Sequence, residues 1–188
     1  MNKKFVAGAV VMALSAVPAM GVFADHVDTI NVTVSGSCTL TRQAYTTGGV
    51  TNNTSHKNGT DGTWSTTANT DTLSVSMANG TVNENLGSSQ FKVVCNNLNG
   101  YTVSVATTSL SVASGSQTPI PNNTTYDATT SGWSPIVGTT KLTNGGTVKT
   151  EATTTAGTTF EVKYGVGISP AQAAGTYSGT ATYSISQL

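Results

Sequence analysis

The chain has 188 residues with eight basic and eight acidic side chains, so only 9% of its residues are charged. The single arginine, Arg42, and the lack of a basic cluster exclude a protein that neutralises nucleic-acid phosphates. Thr, Ser, Asn and Gly dominate the chain, a composition common in extracellular β-proteins that indicates a durable scaffold rather than a catalyst.

The N-terminal segment has the pattern of a secretory signal. A short positive stretch precedes an apolar run of small residues, 5–23, and a strongly polar sequence follows it. We predict cleavage after Ala24, so that residues 1–24 are a signal peptide and 25–188 form a single domain. Cleavage after Ala19 and retention of the run as a membrane anchor are the alternatives. The mature protein is then expected to be secreted, in the periplasm or at the cell surface, without a membrane anchor.

The first part of the mature chain contains runs in which apolar residues alternate, the pattern of strands with one buried face. These runs are 30–40, 73–77, 91–95 and 101–105. Between the first two, residues 43–69 carry turn-prone pairs and few apolar side chains, so we interpret them as an inserted loop with one short hairpin around Trp64. The turn at 96–100 joins the last two runs into a predicted β-hairpin.

The later part continues the same pattern. Residues 113–130 are loop-like, and two prolines there exclude a central strand. Short strands are expected around Ile136 and Leu142. The strongest alternation of the whole chain covers Phe160–Ile168.

A final strand is predicted to begin at Gly175, with Tyr177 and Tyr183 on one face. With it, the chain has about seven short strands separated by turns, and helix signals are nearly absent from the mature chain. This spacing predicts an all-β sandwich.

The two cysteines, Cys38 and Cys95, are predicted to form one disulfide. Their even number and the expected oxidising destination favour pairing, and each cysteine shares the apolar face of its strand. A metal site is not expected, because the chain has no CxxC motif and its histidines, His26 and His56, are placed in the N-terminal segment and in a loop. No cofactor is expected either.

Catalysis is not expected. A Ser-His-Asp arrangement needs a histidine held on regular structure, and neither histidine is so placed. Trp64 and Trp133 lie in Gly-, Ser- and Thr-rich stretches, where an aromatic ring either stacks on a sugar or a partner, or anchors a loop in the core. They are therefore candidate ligand contacts with a core-packing alternative.

Five segments together resemble a known family. They are VSGSCTL at 34–40, FKVVC at 91–95, GYTV at 100–103, FEVKYGV at 160–166 and AGTYSGTATY at 174–183. This set is similar to the spore coat protein U and chaperone–usher pilin-like domains, in which an early cysteine is bonded to a second on the next strand and the chain closes on an AGTY-type strand. The resemblance covers most of the mature chain.

The resemblance implies an incomplete immunoglobulin-like (pilin-like) sandwich of about seven short antiparallel strands with one disulfide. In such domains the place of a missing strand is taken by the N-terminal strand of the next subunit. Here the candidate donor is 28–34, with Ile30, Val32 and Val34 as inserted side chains, and the C-terminal strand with Gly175, Tyr177 and Tyr183 corresponds to the family's last strand.

The implied function is a surface structural subunit of a coat or fimbrium. Its expected partners are identical or homologous subunits and a periplasmic chaperone. In the alternative for the first run, Ile30, Val32 and Val34 belong to the protein's own sheet. The alternative function is a secreted adhesive or carbohydrate-binding module that contacts surface glycans and does not polymerise.

Overall fold

The computed structural model describes residues 35–46, 55–67 and 70–188, and residues 36–188 form one compact unit. The described residues contain thirteen strands and no helix. In chain order the strands are β1 Cys38–Arg42, β2 His56–Asn58, β3 Gly62–Thr67, β4 Thr70–Val75, β5 Thr81–Cys95, β6 Tyr101–Thr107, β7 Ser111–Val112, β8 Gly132–Val137, β9 Thr140–Lys141, β10 Thr147–Glu151, β11 Thr155–Ile168, β12 Tyr177–Ser178 and β13 Ala181–Gln187. The expected signal peptide, 1–24, and the candidate donor residues Ile30, Val32 and Val34 lie outside the described residues.

The principal sheet is antiparallel and has the order β1-β5-β11-β8-β9, with β2 also paired to β5. Its centre is the pairing of the two longest strands, β5 and β11, in which Phe91 lies opposite Phe160. These strands form because β-branched and aromatic residues alternate with polar ones, and that alternation places one set of side chains on a single face.

A second antiparallel sheet has the order β10-β6-β13 and shares a core with the principal sheet. The core side chains come from the inward positions of β5, β6, β10 and β11. Its fully or almost fully buried members are Val93, Cys95, Tyr101, Val103, Val105, Val148 and Val162. Removal of this apolar surface from water is the main stabilising contribution to the fold.

Two smaller pairs complete the fold. The hairpin β3–β4 places Trp64 opposite Leu73, and β12 pairs with β7. Trp64 does lie in a hairpin, but the second strand of that hairpin, β4, begins at Thr70, outside the 43–69 segment in which the hairpin was expected. The 43–69 segment is not only loop in its described part, because β2 joins the principal sheet there.

The prediction of a single final strand from Gly175 onwards is wrong in the extent of that strand. The chain forms β12 at Tyr177, leaves that pairing, and then forms β13, which pairs with β6. Gly179 lies between the two strands against Ser109 and Leu110, where a Cβ atom would come within 2.9 Å of the Ser109 carbonyl oxygen.

Candidate functional site

The disulfide joins Cys38 and Cys95, as predicted. The two residues are directly opposite each other in the β1–β5 register, and Cys95 is 1% exposed. The bond therefore fastens β1, at the edge of the principal sheet, to the sheet's long central strand.

Directly before β1, Ser37 continues the pairing with the end of β5. The carbonyl oxygen of Ser37 accepts a hydrogen bond from the backbone N–H of Asn96 at 3.0 Å, and the Ser37 N–H donates to the Asn96 side chain. Ser37 thus lies at the end of the compact unit that carries the β5–β6 turn. The C-terminus lies at the same end, since the Leu188 N–H donates to the Gly100 carbonyl at 3.2 Å.

The C-terminal strand β13 is an edge strand. It pairs with β6 on one side, and no strand among the described residues pairs with its other side. Its inward side chains Tyr183 and Ile185 are only half-buried although they pack against the core. Unpaired backbone groups beside half-buried apolar side chains are a template for an additional strand.

The edge strand β1 lies close to β13, and we call the line where the two sheet edges meet the β1–β13 seam. On the β1 side it carries Leu40, which is half-buried, and on the β13 side Tyr183 and Ile185. At one end the Gln187 side-chain amide donates to the Gly36 carbonyl oxygen at 3.1 Å. The Tyr183 hydroxyl lies 3.0 Å from that of Tyr164, so this ring is fixed in the interior.

The sequence analysis missed a polar cluster around the buried His56, which we call the His56 cluster. It consists of Arg42 on β1, His56 on β2, Asp71 on β4 and Ser89 on β5. His56 Nδ1 is 2.8 Å from Ser89 Oγ, and its Nε2 is 3.0 Å from Arg42 Nη1 and 3.3 Å from Asp71 Oδ2. Arg42 and Asp71 also form an ion pair.

The expected position of His56 in a loop is wrong, because the residue lies on β2 and its side chain is 1% exposed. His56 pairs with Ser89, whose side chain faces inward, so the imidazole enters the interior. Trp64 then stacks on it with ring centroids 3.9 Å apart. His26, the other histidine, lies outside the described residues.

Burial lowers the pKa of His56 to about 4, and the positive charge of Arg42 acts in the same direction. The imidazole is therefore neutral at neutral pH. Ser89, His56 and Asp71 are the residue types of a hydrolytic triad, but Ser89 is only 2% exposed. The arrangement is suited to fastening β2 and the β3–β4 hairpin to the principal sheet.

The two tryptophans are both used in packing. Trp133 is 6% exposed, and its Nε1 donates to the Thr108 carbonyl oxygen at 3.1 Å. Trp64 has one ring face against His56 and meets Tyr164 edge-on, with ring centroids 5.7 Å apart. The packing contacts described here are those of the core-packing alternative. A role of the two tryptophans in ligand binding stays a prediction.

Gly175 and Tyr177 lie in a different part of the fold from Tyr183. Tyr177 lies on β12, where its hydroxyl donates to the Ala173 carbonyl at 2.8 Å and lies 2.8 Å from Gln172 Nε2. Gly175 precedes β12 and approaches Val112. Of these three residues, only Tyr183 faces the β1–β13 seam.

The described part of the chain holds no group of three or more His, Cys, Asp or Glu side chains suited to a metal ion. Within 35–46, 55–67 and 70–188, no helical segment has the length and apolar character needed to cross a bilayer. No protein-family model, curated protein or solved structure matches the chain.

Proposed function

We propose that this protein is an exported, non-catalytic structural subunit with an incomplete immunoglobulin-like fold, and that it assembles when an extended strand of a second copy adds to the free edge of β13. The observation that carries the proposal is this edge. The inward side chains along it are apolar and only half-buried, so an added strand would gain both backbone hydrogen bonds and buried apolar area.

The order of strands supports an immunoglobulin-like architecture. In that architecture one sheet has the order A-B-E-D and the other C-F-G. The principal sheet, β1-β5-β11-β8, follows the first order, and β6-β13 follows the first two strands of the second. A strand in the position of G would pair with the free edge of β13.

The strand that adds is proposed to be 28–34, which lies outside the described residues. Its apolar residues Ile30, Val32 and Val34 are two apart and so point to one side of an extended chain. The segment directly precedes Ser35, from which the chain runs along the end of the unit that carries the β5–β6 turn.

Export is part of the same proposal. The disulfide and the predicted signal peptide, 1–24, both favour an oxidising compartment outside the cytoplasm. The absence of catalysis is also proposed, on the ground that Ser89 is shielded and His56 is engaged on both ring nitrogens.

The test compares the mature chain 25–188 with a version that begins at Ser35. We expect the longer chain to form ladders on SDS gels that survive without boiling, and the shorter one to give none. Val32→Asp should abolish the ladders, because it places a charge at an inserted position. Its neighbour Thr33→Asp is the matched control and should preserve them, because Thr33 points the other way.

Two results would contradict assembly by strand addition. In one, the truncated and full-length chains are equally stable monomers. In the other, the full-length chain is a monomer that loses stability when 25–34 are removed, which means that the segment completes its own sheet. The adhesive alternative has no support from Trp64 or Trp133, whose rings are engaged in packing.

A further inference from the structure

Four Asn–Gly pairs occur in the chain, at 58–59, 79–80, 99–100 and 144–145, and all four lie within the described residues. In such a pair the backbone nitrogen of the glycine is able to attack the side-chain carbonyl carbon of the asparagine, because glycine has no Cβ atom to obstruct the approach. The reaction needs an asparagine side chain that can turn and a glycine N–H that is not held elsewhere. The fold therefore decides which of the four pairs reacts.

In three of the pairs both reacting groups are held by other segments of the chain. The asparagine side chains are hydrogen-bonded to the Trp64 N–H for Asn58 (2.8 Å), the Gln172 carbonyl for Asn79 (2.8 Å) and the Thr107 N–H for Asn144 (2.9 Å). The glycine N–H groups donate to strand carbonyls, which are those of Leu86 for Gly59 (3.0 Å), Ile168 for Gly80 (2.8 Å) and Val105 for Gly145 (2.8 Å). Attack in these pairs requires the loss of both hydrogen bonds, which the tertiary structure opposes.

The fourth pair, Asn99–Gly100 in the β5–β6 turn, lacks this protection. Asn99 is exposed, and among the described residues its side-chain amide has no hydrogen-bond partner. The Gly100 N–H is bonded only within the turn, to the Asn97 carbonyl at 2.9 Å. The neighbouring Leu98 is 84% exposed, so little packing opposes a local opening of the turn. This opening therefore costs less free energy than separating two paired strands.

We propose that Asn99 is a site of spontaneous deamidation, and that the isoaspartyl form of residue 99 releases the end of β13. The Gly100 nitrogen gives its proton to hydroxide from solvent and forms a bond with Cγ of Asn99. The Cγ–Nδ2 bond breaks, and the leaving nitrogen takes a proton from water and departs as ammonia. Water then opens the resulting succinimide ring at either carbonyl, which produces aspartate or isoaspartate at position 99.

The position of the turn explains the effect of the isoaspartyl form. Its additional backbone atom lies directly before Gly100, whose backbone packs so closely against the Glu151 carbonyl group that there is no room for a side chain. The Gly100 carbonyl accepts the Leu188 N–H at 3.2 Å and the Asn97 side-chain amide at 3.1 Å. Because Gly100 has no space to move toward Glu151, the longer backbone displaces this carbonyl and loosens Leu188. Aspartate has no additional backbone atom and so preserves the contacts.

The first test incubates the mature chain 25–188 in a mildly alkaline buffer, in which the glycine nitrogen loses its proton more readily. Peptide mapping by mass spectrometry measures deamidation at each Asn–Gly pair, and an isoaspartyl methyltransferase labels the isoaspartyl product. In the folded protein we expect Asn99 to react at least about tenfold faster than any of the other three asparagines. In denaturant, with the disulfide reduced, the four pairs should react at similar rates, because the protection of three of them is lost with the fold.

The second test measures hydrogen exchange of residues 181–188 in incubated protein that is enriched in the isoaspartyl form. We expect faster exchange at Leu188 than in fresh protein. Asn99→Asp carries the new charge without the additional backbone atom, and it should exchange like fresh protein. Asn99→Gln, incubated in the same way, is the matched control for changes elsewhere in the chain and should also exchange like fresh protein.

Each outcome decides one part of the proposal. If another pair of the folded protein reacts as fast as Asn99, the assignment of the site is overturned. The same selectivity for Asn99 in denaturant would also overturn it, because the local sequence and not the fold would then select the site. Unchanged exchange of 181–188 in the isoaspartyl protein, or equally fast exchange in Asn99→Asp, would refute the release of β13 by the longer backbone.

Discussion

His56 should make the stability of the fold depend on pH below neutrality. Its pKa is about 4 in the folded protein against an ordinary value of 6.5, so the unfolded chain takes up a proton between these values and the folded chain does not. The contribution of the neutral imidazole is complete above pH 6.5 and is lost as the pH falls toward 4. A lowering of this size corresponds to about 3 kcal/mol of unfolding free energy at full effect.

The measurement is urea unfolding at a series of pH values from 7.5 to about 4, for the native chain and for His56→Gln. The glutamine retains hydrogen-bonding groups but does not titrate, so the difference between the two curves isolates the imidazole from the carboxylates that titrate nearby. The native chain should lose about 2–3 kcal/mol more than the variant over this interval. Parallel curves for the two proteins would refute the assignment of a buried, neutral His56.

Three further predictions concern the core and its fastenings. Replacing Cys38 and Cys95 with alanine should lower the free energy of unfolding by about 4 kcal/mol, because the bond closes a loop with a sequence separation of 57 residues; denaturant melts measure this, and a loss below about 1 kcal/mol would contradict it. Val103→Ala should lower the free energy of unfolding by about 2 kcal/mol, because Val103 is fully buried. Val94→Ala, at an exposed position on the outer face, should lower it by less than about 0.5 kcal/mol. Equal losses in thermal melts of the two variants would be inconsistent with the packing described. Gly87→Val should detach the β3–β4 hairpin, because the new side chain collides with the indole nitrogen of Trp64, 2.6 Å from the added Cβ. We expect increased proteolysis within 60–77. An unchanged digestion pattern would argue against the collision.

The features that could be predicted from the sequence are those that local alternation encodes. The runs at Phe91–Cys95 and Phe160–Ile168 show inward and outward positions without knowledge of their partners, and both lie within strands. The disulfide followed from the same alternation, because it placed Cys38 and Cys95 on apolar faces. All-β architecture and one intramolecular bond were therefore predictable.

The His56 cluster was not predictable in this way. Its members come from β1, β2, β4 and β5, and nothing in the sequence around His56 shows that it will pair with Ser89. The short strand β2 has no apolar alternation, and it exists because β5 offers a partner. A useful signal was the set of closely spaced glycines near Trp64, since Gly59 and Gly62 are required where two backbones approach each other. In the same way, Tyr177 and Tyr183 fit one alternating pattern, but tertiary pairing assigns them to different sheets.

The pairing of β5 with β11 has a consequence for the order in which the chain folds. Residues 81–95 find their central partner in 155–168, and β6 finds β13 only among the last eight residues. Such distant pairings are slow to form, because the chain must close long loops before the contacts repay the lost entropy. The β1–β5 pairing needs only residues 38–95, so oxidation of Cys38 and Cys95 is able to hold one flank of β5 before the β11 residues are available. An early bond of this kind would hold β1 on β5 while the centre of the sheet, the β5–β11 pairing, is still unformed.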